Sequence, residues 1–255
     1  MASGAVLRIG GGHEVPIDTP DATTLLERVE AKIAAGESFA VATINLDHVV
    51  KLQRDPGFRA AYAAQTFVVA DGNPIVWTCK LAGTPVSLTP GSELVEPLCA
   101  LAARMGVPVG LLGSTQEVLD QAAETLELRH PGLKVVARIS PPFGFEPESA
   151  QADACLDALA ASGARLCLLA LGAPKQERLA ARGVARVPAT GFVSVGAGVD
   201  FIAGAQVRAP AWVRRIAMEW LWRMLSNPGR LAKRYAQCAA VLPGLFLRAA
   251  AAKKG

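Results

Sequence analysis

The chain has 255 residues, of which 51% are hydrophobic and 19% charged. This apolar content excludes an intrinsically disordered chain, and the length suits one large α/β domain or one domain with an appendage. No uninterrupted apolar run reaches the roughly 18 residues of a membrane-spanning helix, and the N-terminal residues lack the pattern of a secretory signal.

The predicted elements alternate between strands and helices. The first clear helix covers 21–35, where Leu25, Leu26, Val29 and Ile33 form one apolar stripe and Gly36 ends it. Further strands are predicted at 38–45, 66–70, 107–114, 133–140, 164–172 and 191–198. Helical segments are predicted at 46–64 (interrupted at Pro56), 93–106, 115–132, 150–163 and 173–185. This order requires crossover connections, so we expect a Rossmann-like α/β fold: a mostly parallel sheet with helices on both faces.

Ligands of such sheets bind beyond the carboxyl ends of the strands. Six polar or glycine-rich clusters follow the predicted strands: Thr43 with Asn45, Asp71-Gly72, Gly113-Ser114, 141–145, 172–176 and 196–200. Each cluster has a plainer explanation, because glycine and asparagine are ordinary loop residues.

Asp71 is the candidate general base, because it follows an apolar run and precedes Gly72, which gives close access. An ordinary Asp-Gly turn is the alternative. Thr43 and Asn45 occupy alternate strand positions, so they could bind a ligand or satisfy backbone groups.

The segment LGAPKQE (171–177) opens a predicted helix whose free N–H groups and Lys175 would favour a phosphate. The alternative is a plain helix start in which Glu177 complements the helix dipole.

The segment VGAGVDF (195–201) lacks the third glycine of a dinucleotide fingerprint, so no nicotinamide cofactor is expected. No Walker loop, nucleophile elbow, Asp-x-Asp pair or zinc-ligand spacing is present, so neither a metal site nor a cofactor is predicted. The three histidines occupy undistinguished positions.

Charge is distributed unevenly along the chain. From Val207 onward, ten Lys and Arg residues and one Glu give a net charge of +9, whereas the remaining 16 basic and 21 acidic residues give −5. A basic tail on a mildly acidic body favours an anionic partner, such as a phosphorylated ligand, nucleic acid or anionic lipid. The five scattered cysteines predict buried thiols in a reducing compartment, so we expect a cytoplasmic protein.

The tail combines tryptophan, arginine and apolar residues. One side of a helix beginning at Pro210 would carry Trp212, Ile216, Glu219, Trp220 and Arg223. The segment SNPG (226–229) should break this helix and RLAKRY (230–235) should restart it. This composition suits a membrane interface, and a core helix docked on the sheet is the alternative. We therefore predict an α/β domain at 1–206 and a basic, amphipathic, membrane-associating helical appendage at 207–255.

Several blocks together resemble the WecG/TagA/CpsF glycosyltransferases over roughly residues 40 to 235. These blocks are TINLDHVV, VVADGNPIVW, LLGS, LALGAPKQE, SVGAGVDFIAGAQVRAP and EWLWRMLSNPGRLAKRY. The resemblance implies an inverting enzyme at the inner face of the cell membrane. Such an enzyme transfers a sugar from a UDP-sugar to a polyprenyl-diphosphate-linked saccharide in cell-wall or exopolysaccharide synthesis. The sugar could be N-acetylmannosamine, its uronic acid or glucose.

The resemblance also implies residue roles, with Asp71 as the base. The predicted substrate-binding residues are Thr43, Asn45, Asn73, Gly113, Gly172, Lys175, Gln176, Glu177, Asp200, Arg208, Arg223 and Arg230. Two departures from the family pattern lie near the expected sugar pocket. Asn73-Pro74 replaces a more usual x-Gly, and Leu88 and Glu93 replace an arginine and an aspartate.

The chemistry agrees with these roles. A single displacement needs a base for the acceptor hydroxyl and positive charge for the departing UDP, which tail arginines and helix N-termini can supply without an Asp-x-Asp metal site. The predicted partners are therefore the UDP-sugar, the lipid-linked acceptor and anionic inner-membrane lipid, with a homo-oligomer left open. Three alternatives are a non-catalytic UDP-sugar or lipid-binding module, a sugar-nucleotide oxidoreductase and a nucleic-acid-binding protein. The last is disfavoured by the acidic body.

Overall fold

The computed structural model of the protein describes residues 4–207, 209–210, 213, 222 and 228–253. The strands are β1 (Ala5–Gly10), β2 (His13–Ile17), β3 (Phe39–Ile44), β4 (Phe67–Ala70), β5 (Val109–Gly113), β6 (Val135–Ile139), β7 (Leu166–Ala170) and β8 (Gly191–Ser194). The helices are α1 (Ala22–Ala35), α2 (Leu46–Arg54), α3 (Pro56–Ala63), α4 (Asn73–Leu81), α5 (Gly91–Met105), α6 (Gln116–Arg129), α7 (Ala150–Ala161), α8 (Lys175–Arg186), α9 (Gly198–Ile202) and α10 (Pro228–Ala252).

Strands β3 to β8 form one sheet in the order β4-β3-β8-β7-β5-β6, and every neighbouring pair is parallel. Strands β1 and β2 form a separate antiparallel hairpin. The predicted Rossmann-like α/β fold is therefore confirmed. Because all six strands run the same way, the loops that follow them gather at one edge of the sheet.

Alternate residues of each strand pack on opposite faces of the sheet. On β3, Phe39 and Val41 join the core beneath α1, α5 and α6, whereas Ala42 and Ile44 join the core beneath the hairpin and α2 to α4. A third cluster packs α7 and α8 on the same side as the hairpin. Burial on both faces explains why these strands are continuous apolar runs rather than alternating ones. All five cysteines are free thiols.

Most helix starts follow from local capping chemistry. Asp21 caps α1 by accepting a hydrogen bond from the Thr24 amide, and Thr115 and Ser149 play the same part for α6 and α7. Helix α5 begins at Gly91, earlier than the predicted residue 93, and no side chain caps it.

Three parts of the fold were absent from the sequence prediction: the N-terminal hairpin, helix α4 and the short helix α9. The N-terminal hairpin turns through consecutive glycines, and its burial alternates, with Leu7 and Ile9 buried and Val6 and Arg8 exposed. Helix α4 begins directly after Asp71-Gly72, where the sequence favoured only a turn. The hairpin and α4 both pack in the hydrophobic cluster that also contains residues of α2 and α3.

Helix α10 packs along the body of the protein, against α2, α4 and β1. Leu245 is fully buried in the hairpin cluster, and the Arg248 guanidinium donates hydrogen bonds to the carbonyl oxygens of Arg8 (3.0 Å) and Ile9 (3.2 Å). The predicted division at residues 206 and 207 remains a prediction.

The same helix has the length and composition of a membrane span. Among the described residues, Leu231–Ala252 alone meets this criterion, with a mean hydropathy of 1.2 and 17% of its most apolar stretch buried. The segment is not an uninterrupted apolar run, because Lys233, Arg234 and Arg248 occur in it.

Candidate active site

The candidate base lies where the two neighbouring strands β3 and β4 end. The Asp71 amide donates a 2.7 Å hydrogen bond to the Ile44 carbonyl oxygen, which fixes the backbone of Asp71 beside the end of β3. Asn45 follows Ile44, and its Cβ lies 3.9 Å from the position that a Cβ on Gly72 would occupy. Asp71 and Asn45 are therefore spatial neighbours, as the parallel sheet requires.

Gly72 allows the chain to turn from β4 into α4. Its φ of 109° lies in a region that favours glycine, and no side chain caps the helix N-terminus that follows. Asn73 and Pro74 form the first turn of α4. Pro74 has no N–H, and the Ile75 and Val76 amides donate to the Gly72 carbonyl oxygen, so the Asn73 amide is the helix-start donor that can meet an anionic substrate beside Asp71.

Thr43 and Asn45 make different contacts: Thr43 packs against the start of α5, and Asn45 caps α2. Thr43 is 3% exposed, and its Oγ1 lies 3.0 Å from the Cβ position of Gly91, which opens α5. The Ser194 carbonyl oxygen lies 2.8 Å from the same position, so α5 starts in close contact with the ends of β3 and β8. Asn45 caps α2 by accepting a hydrogen bond of 3.1 Å from the His48 amide.

The loop after β5 is tied to α9. Gly113 has a φ of 115°, and a Cβ there would lie 2.5 Å from the backbone of Ala170 on β7, so only glycine fits. The next residue, Ser114, donates a 3.0 Å hydrogen bond from Oγ to Oδ1 of Asp200. Asp200 thus lies at the same edge of the sheet, held to the loop after β5.

Gln176 connects the loops after β7 and β8. Its Oε1 accepts hydrogen bonds from the amides of Gly172 (3.2 Å) and Gly196 (3.3 Å), and its Nε2 donates to Oε1 of Glu177 (2.8 Å). Gln176 is 3% exposed. In this structure the carboxamide of Gln176 therefore organises two loops that border the site.

Two lysine side chains, Lys175 and Lys51, form hydrogen bonds with the loops around the candidate site. Lys175 donates from Nζ to the Phe145 carbonyl oxygen and forms a 3.3 Å ion pair with Glu146, in the loop after β6. Lys51 on α2 donates a 2.9 Å hydrogen bond to the Ala173 carbonyl oxygen. Both ammonium groups are thus engaged within the protein.

A buried polar network lies beneath the site. His48 Nδ1 and Tyr62 Oη are 2.6 Å apart, and His48 Nε2 lies 4.0 Å from Glu177 Oε1. Burial, reinforced by the charge of Lys51, lowers the pKa of His48 to about 3, so the imidazole is neutral.

The carboxyl group of Glu177 is destabilised by its surroundings. It is fully buried, and its Oε2 has no hydrogen-bond partner. Burial raises its pKa to about 7, against the lowering effect of the Gln176 hydrogen bond. Burial raises the pKa of Tyr62 well above its ordinary value of 10, and the charges of Glu177 and Asp71 act in the same direction.

A cavity of about 350 Å³ opens between α5 and α9, near the ends of β3 and β8. It is lined by Ser92, Glu93, Glu96, Gly198, Phe201, Ile202 and Gln206. Its two carboxyl groups suit hydroxyl donors better than a diphosphate. Arg129 and His130 bind the Glu96 carboxyl group, and its pKa is lowered despite partial burial.

Among the described residues, no cluster of His, Cys, Asp and Glu could hold a metal ion.

The family model described as "Glycosyl transferase WecG/TagA/CpsF family" matches residues 12–255. The chain belongs to this family. The match covers nearly the whole chain, so the protein is a glycosyltransferase that acts on a sugar donor and an acceptor. The blocks that carried the resemblance include Asp71, Gln176 and Asp200, each of which lies at the carboxyl edge of the sheet.

Part of the predicted site lies outside the described residues. This applies to Arg208 and Arg223, to the side chain of Arg230, and to the predicted helix face with Trp212, Glu219 and Trp220. The placement of the tail arginines relative to Asp71 therefore remains a prediction.

The sequence does not reveal the contribution of α2 and α3 to the candidate site. His48, Lys51 and Tyr62 carry no sequence pattern that marks them as site residues. No spacing rule distinguishes these residues, because each meets its partner only after folding. The one usable signal was the position of His48 three residues after Asn45, where a helix begins.

Proposed function

We propose that the protein is an inverting glycosyltransferase that moves a sugar from a UDP-sugar to a polyprenyl-diphosphate-linked saccharide in cell-surface polysaccharide synthesis. The sugar is of the N-acetylmannosamine, N-acetylmannosaminuronic acid or glucose type. The observation that carries the proposal is the position of Asp71. Its backbone is fixed beside the end of β3, and the uncapped start of α4 follows it.

In the proposed reaction, the Asp71 carboxylate accepts the proton of an acceptor hydroxyl. The hydroxyl oxygen forms a bond to the anomeric carbon, and the bond from that carbon to the UDP oxygen breaks with its electron pair. The configuration inverts because the attack is opposite the leaving group. General base catalysis of this kind contributes about 10²–10⁴-fold.

The leaving diphosphate needs positive charge. In the proposal, Arg208, Arg223 and Arg230 of the tail supply it, and the Asn73 amide at the start of α4 adds one hydrogen-bond donor. In the proposal the remaining residues predicted to bind substrate shape the carboxyl edge of the sheet around the donor, although none of them lines the cavity between α5 and α9. They are Thr43, Asn45, Asn73, Gly113, Gly172, Lys175, Gln176, Glu177 and Asp200. The internal bonds of Gln176 and Lys175 support a role in positioning the loops around the donor.

The cavity between α5 and α9 is the proposed place for the sugar of the donor. Carboxylates at Glu93 and Glu96 can accept hydrogen bonds from sugar hydroxyls. The apolar helix α10 supports a peripheral position on the inner face of the cell membrane, where the lipid-linked acceptor lies. Neither nucleic acid nor a cofactor has a part in this proposal, and oligomerisation stays open.

Asp71→Asn tests the role of the base. The purified full chain and this variant are incubated with a panel of UDP-sugars and a short-chain polyprenyl-diphosphate saccharide, and the products are identified by mass. We expect turnover to fall about 10²–10⁴-fold while UDP-sugar binding changes little, because the amide keeps the shape but cannot accept the proton. Undiminished turnover would remove Asp71 as the base.

The main rival is a non-catalytic UDP-sugar or lipid-binding module. It is favoured if the wild-type chain binds a UDP-sugar but yields no product with any donor of the panel.

A further inference from the structure

Helix α4 presents an unusual outer face. Trp77, Lys80 and Leu81 follow the helical spacing i, i+3, i+4, and Trp77 and Leu81 are 48% and 40% exposed. Ile75 and Cys79 on the opposite side are buried in the core. A surface helix normally turns polar residues toward water, so an exposed Trp-Leu pair indicates that something else covers this face.

Helix α10 lies next to this face and has the same character. The two helices pack together, and Cγ of Lys253 lies 3.9 Å from the Cβ position of Gly83, just past the end of α4. Apart from Lys233 near its start, the exposed residues of α10 are small or apolar: Gly229, Ala232, Ala236, Ala239, Ala240, Pro243, Leu247 and Ala251. No charged residue occurs at 235–247, and Leu247 is 73% exposed.

Basic residues border this apolar surface. Lys233 stands near the start of α10 and Lys253 just past its end, and Lys80 stands on α4; all three are exposed. No acidic residue occurs on α4 or α10. The two helices thus present an apolar strip with a tryptophan and exposed lysines, which complements the headgroups and outer acyl region of an anionic bilayer.

We propose that the outer faces of α4 and α10 form one docking surface for an anionic lipid bilayer, with α10 lying in the plane of the interface. The inner face of α10 supports this orientation over a span. Leu231, Cys238, Leu245 and Ala249 are buried against the body, and Arg248 bonds the β1 backbone. A spanning helix would have to break all of these contacts.

This inference rests on the membrane association in the proposed function, but not on the sugar transfer. It adds a contact from the α/β body, outside the tail that the sequence singled out. Because α4 begins at Asn73, next to Asp71, the docking surface would start at the candidate site itself.

The first experiment asks whether Trp77 enters the bilayer. The full chain and Trp77→Phe are mixed with vesicles of phosphatidylcholine and phosphatidylglycerol, with and without bromine on the acyl chains, and tryptophan fluorescence is recorded. The chain has four tryptophans, so the difference between the two proteins isolates Trp77. We expect brominated lipid to quench this difference signal. If the wild type cosediments with vesicles and the difference signal is not quenched, the α4 contact is overturned.

The second experiment measures the strength of the contact. We expect Trp77→Ser/Leu81→Ser to reduce partitioning into the same vesicles about tenfold, which corresponds to about 1.4 kcal/mol. The matched control is Leu128→Ser, which removes an 83% exposed leucine from α6 on the other side of the sheet and should leave partitioning unchanged. Circular dichroism verifies that both variants fold.

The outcomes separate the proposals. Equal partitioning of the double variant and the wild type overturns the docking surface while leaving glycosyl transfer standing. Loss of self-association instead of vesicle binding assigns the face to a second copy of the chain and also overturns the inference. A wild type that does not bind vesicles removes membrane association altogether, whereas product formation by the same protein still tests the transfer.

Discussion

Glu177→Gln should stabilise the protein, and more so as the pH rises. Glu177 is fully buried with an unpartnered Oε2, and burial raises its pKa from an ordinary 4.5 to about 7. The unfolded chain therefore releases the proton at lower pH than the folded chain does. Folding stability is lost as the pH rises from about 4.5 through about 7, and the loss is complete above that range.

The magnitude follows from the two pKa values. The difference between 4.5 and about 7, at about 1.4 kcal/mol for each pKa unit, costs the folded state roughly 3 kcal/mol at pH 8 and less than about 1 kcal/mol at pH 5. Glutamine keeps the acceptor for Gln176 Nε2 and carries no charge. The amide group that replaces Oε2 also lacks a hydrogen-bond partner. This lowers the stability gained by the substitution, and it does so equally at pH 5 and pH 8.

Urea unfolding at pH 5 and pH 8 measures the effect. We expect the stability of the variant relative to the wild type to rise by roughly 2–3 kcal/mol between the two pH values. The lowered pKa of His48 makes the free energy of unfolding rise with pH, which is the opposite dependence. This effect is present in both proteins, so it largely cancels in the comparison. Glu124→Gln, at an exposed position of α6, is the control and should show no such rise. The same relative stability at both pH values would refute the reasoning.

Two further predictions test packing at the site and at the terminal helix. Gly91→Ala should cost about 1–3 kcal/mol, because the new Cβ would lie 2.8 Å from the Ser194 carbonyl oxygen; an unchanged melting temperature would contradict this close contact. Leu245→Ala should cost about 2–5 kcal/mol in urea unfolding, because it empties a fully buried position between α10 and the hairpin. A cost near zero would show that α10 does not pack there in solution.

The sequence was sufficient to predict the sheet, because its central strands are buried on both faces and appear as apolar runs between amphipathic helices. It also placed Asp71 and the glycine loops at one edge, since that follows from parallel strands. It did not give α4, because Asp-Gly-Asn-Pro favours a turn and the helix that follows has a weakly polar outer face. The hairpin was detectable from the alternation of Leu7 and Ile9 with exposed neighbours, but this pattern was not recognised.

The buried network could not be predicted, for a different reason. His48, Tyr62 and Glu177 come from three helices, and their pKa values depend on burial that only the packed structure defines. The same holds for Gln176, whose side chain bonds two loops that stand 24 residues apart at Gly172 and Gly196.

Helix α4 has a consequence for the geometry of the acceptor. Asn73 and Leu81 stand at its two ends, about 12 Å apart along the axis at 1.5 Å for each residue. With one end beside Asp71 and the other in the inferred lipid contact, the helix would limit the distance between the bilayer surface and the candidate base to at most about 12 Å. An acceptor whose reactive hydroxyl stands much farther from its lipid anchor would then fail to reach Asp71, so saccharide length would be selected by a protein dimension rather than by recognition of the sugars.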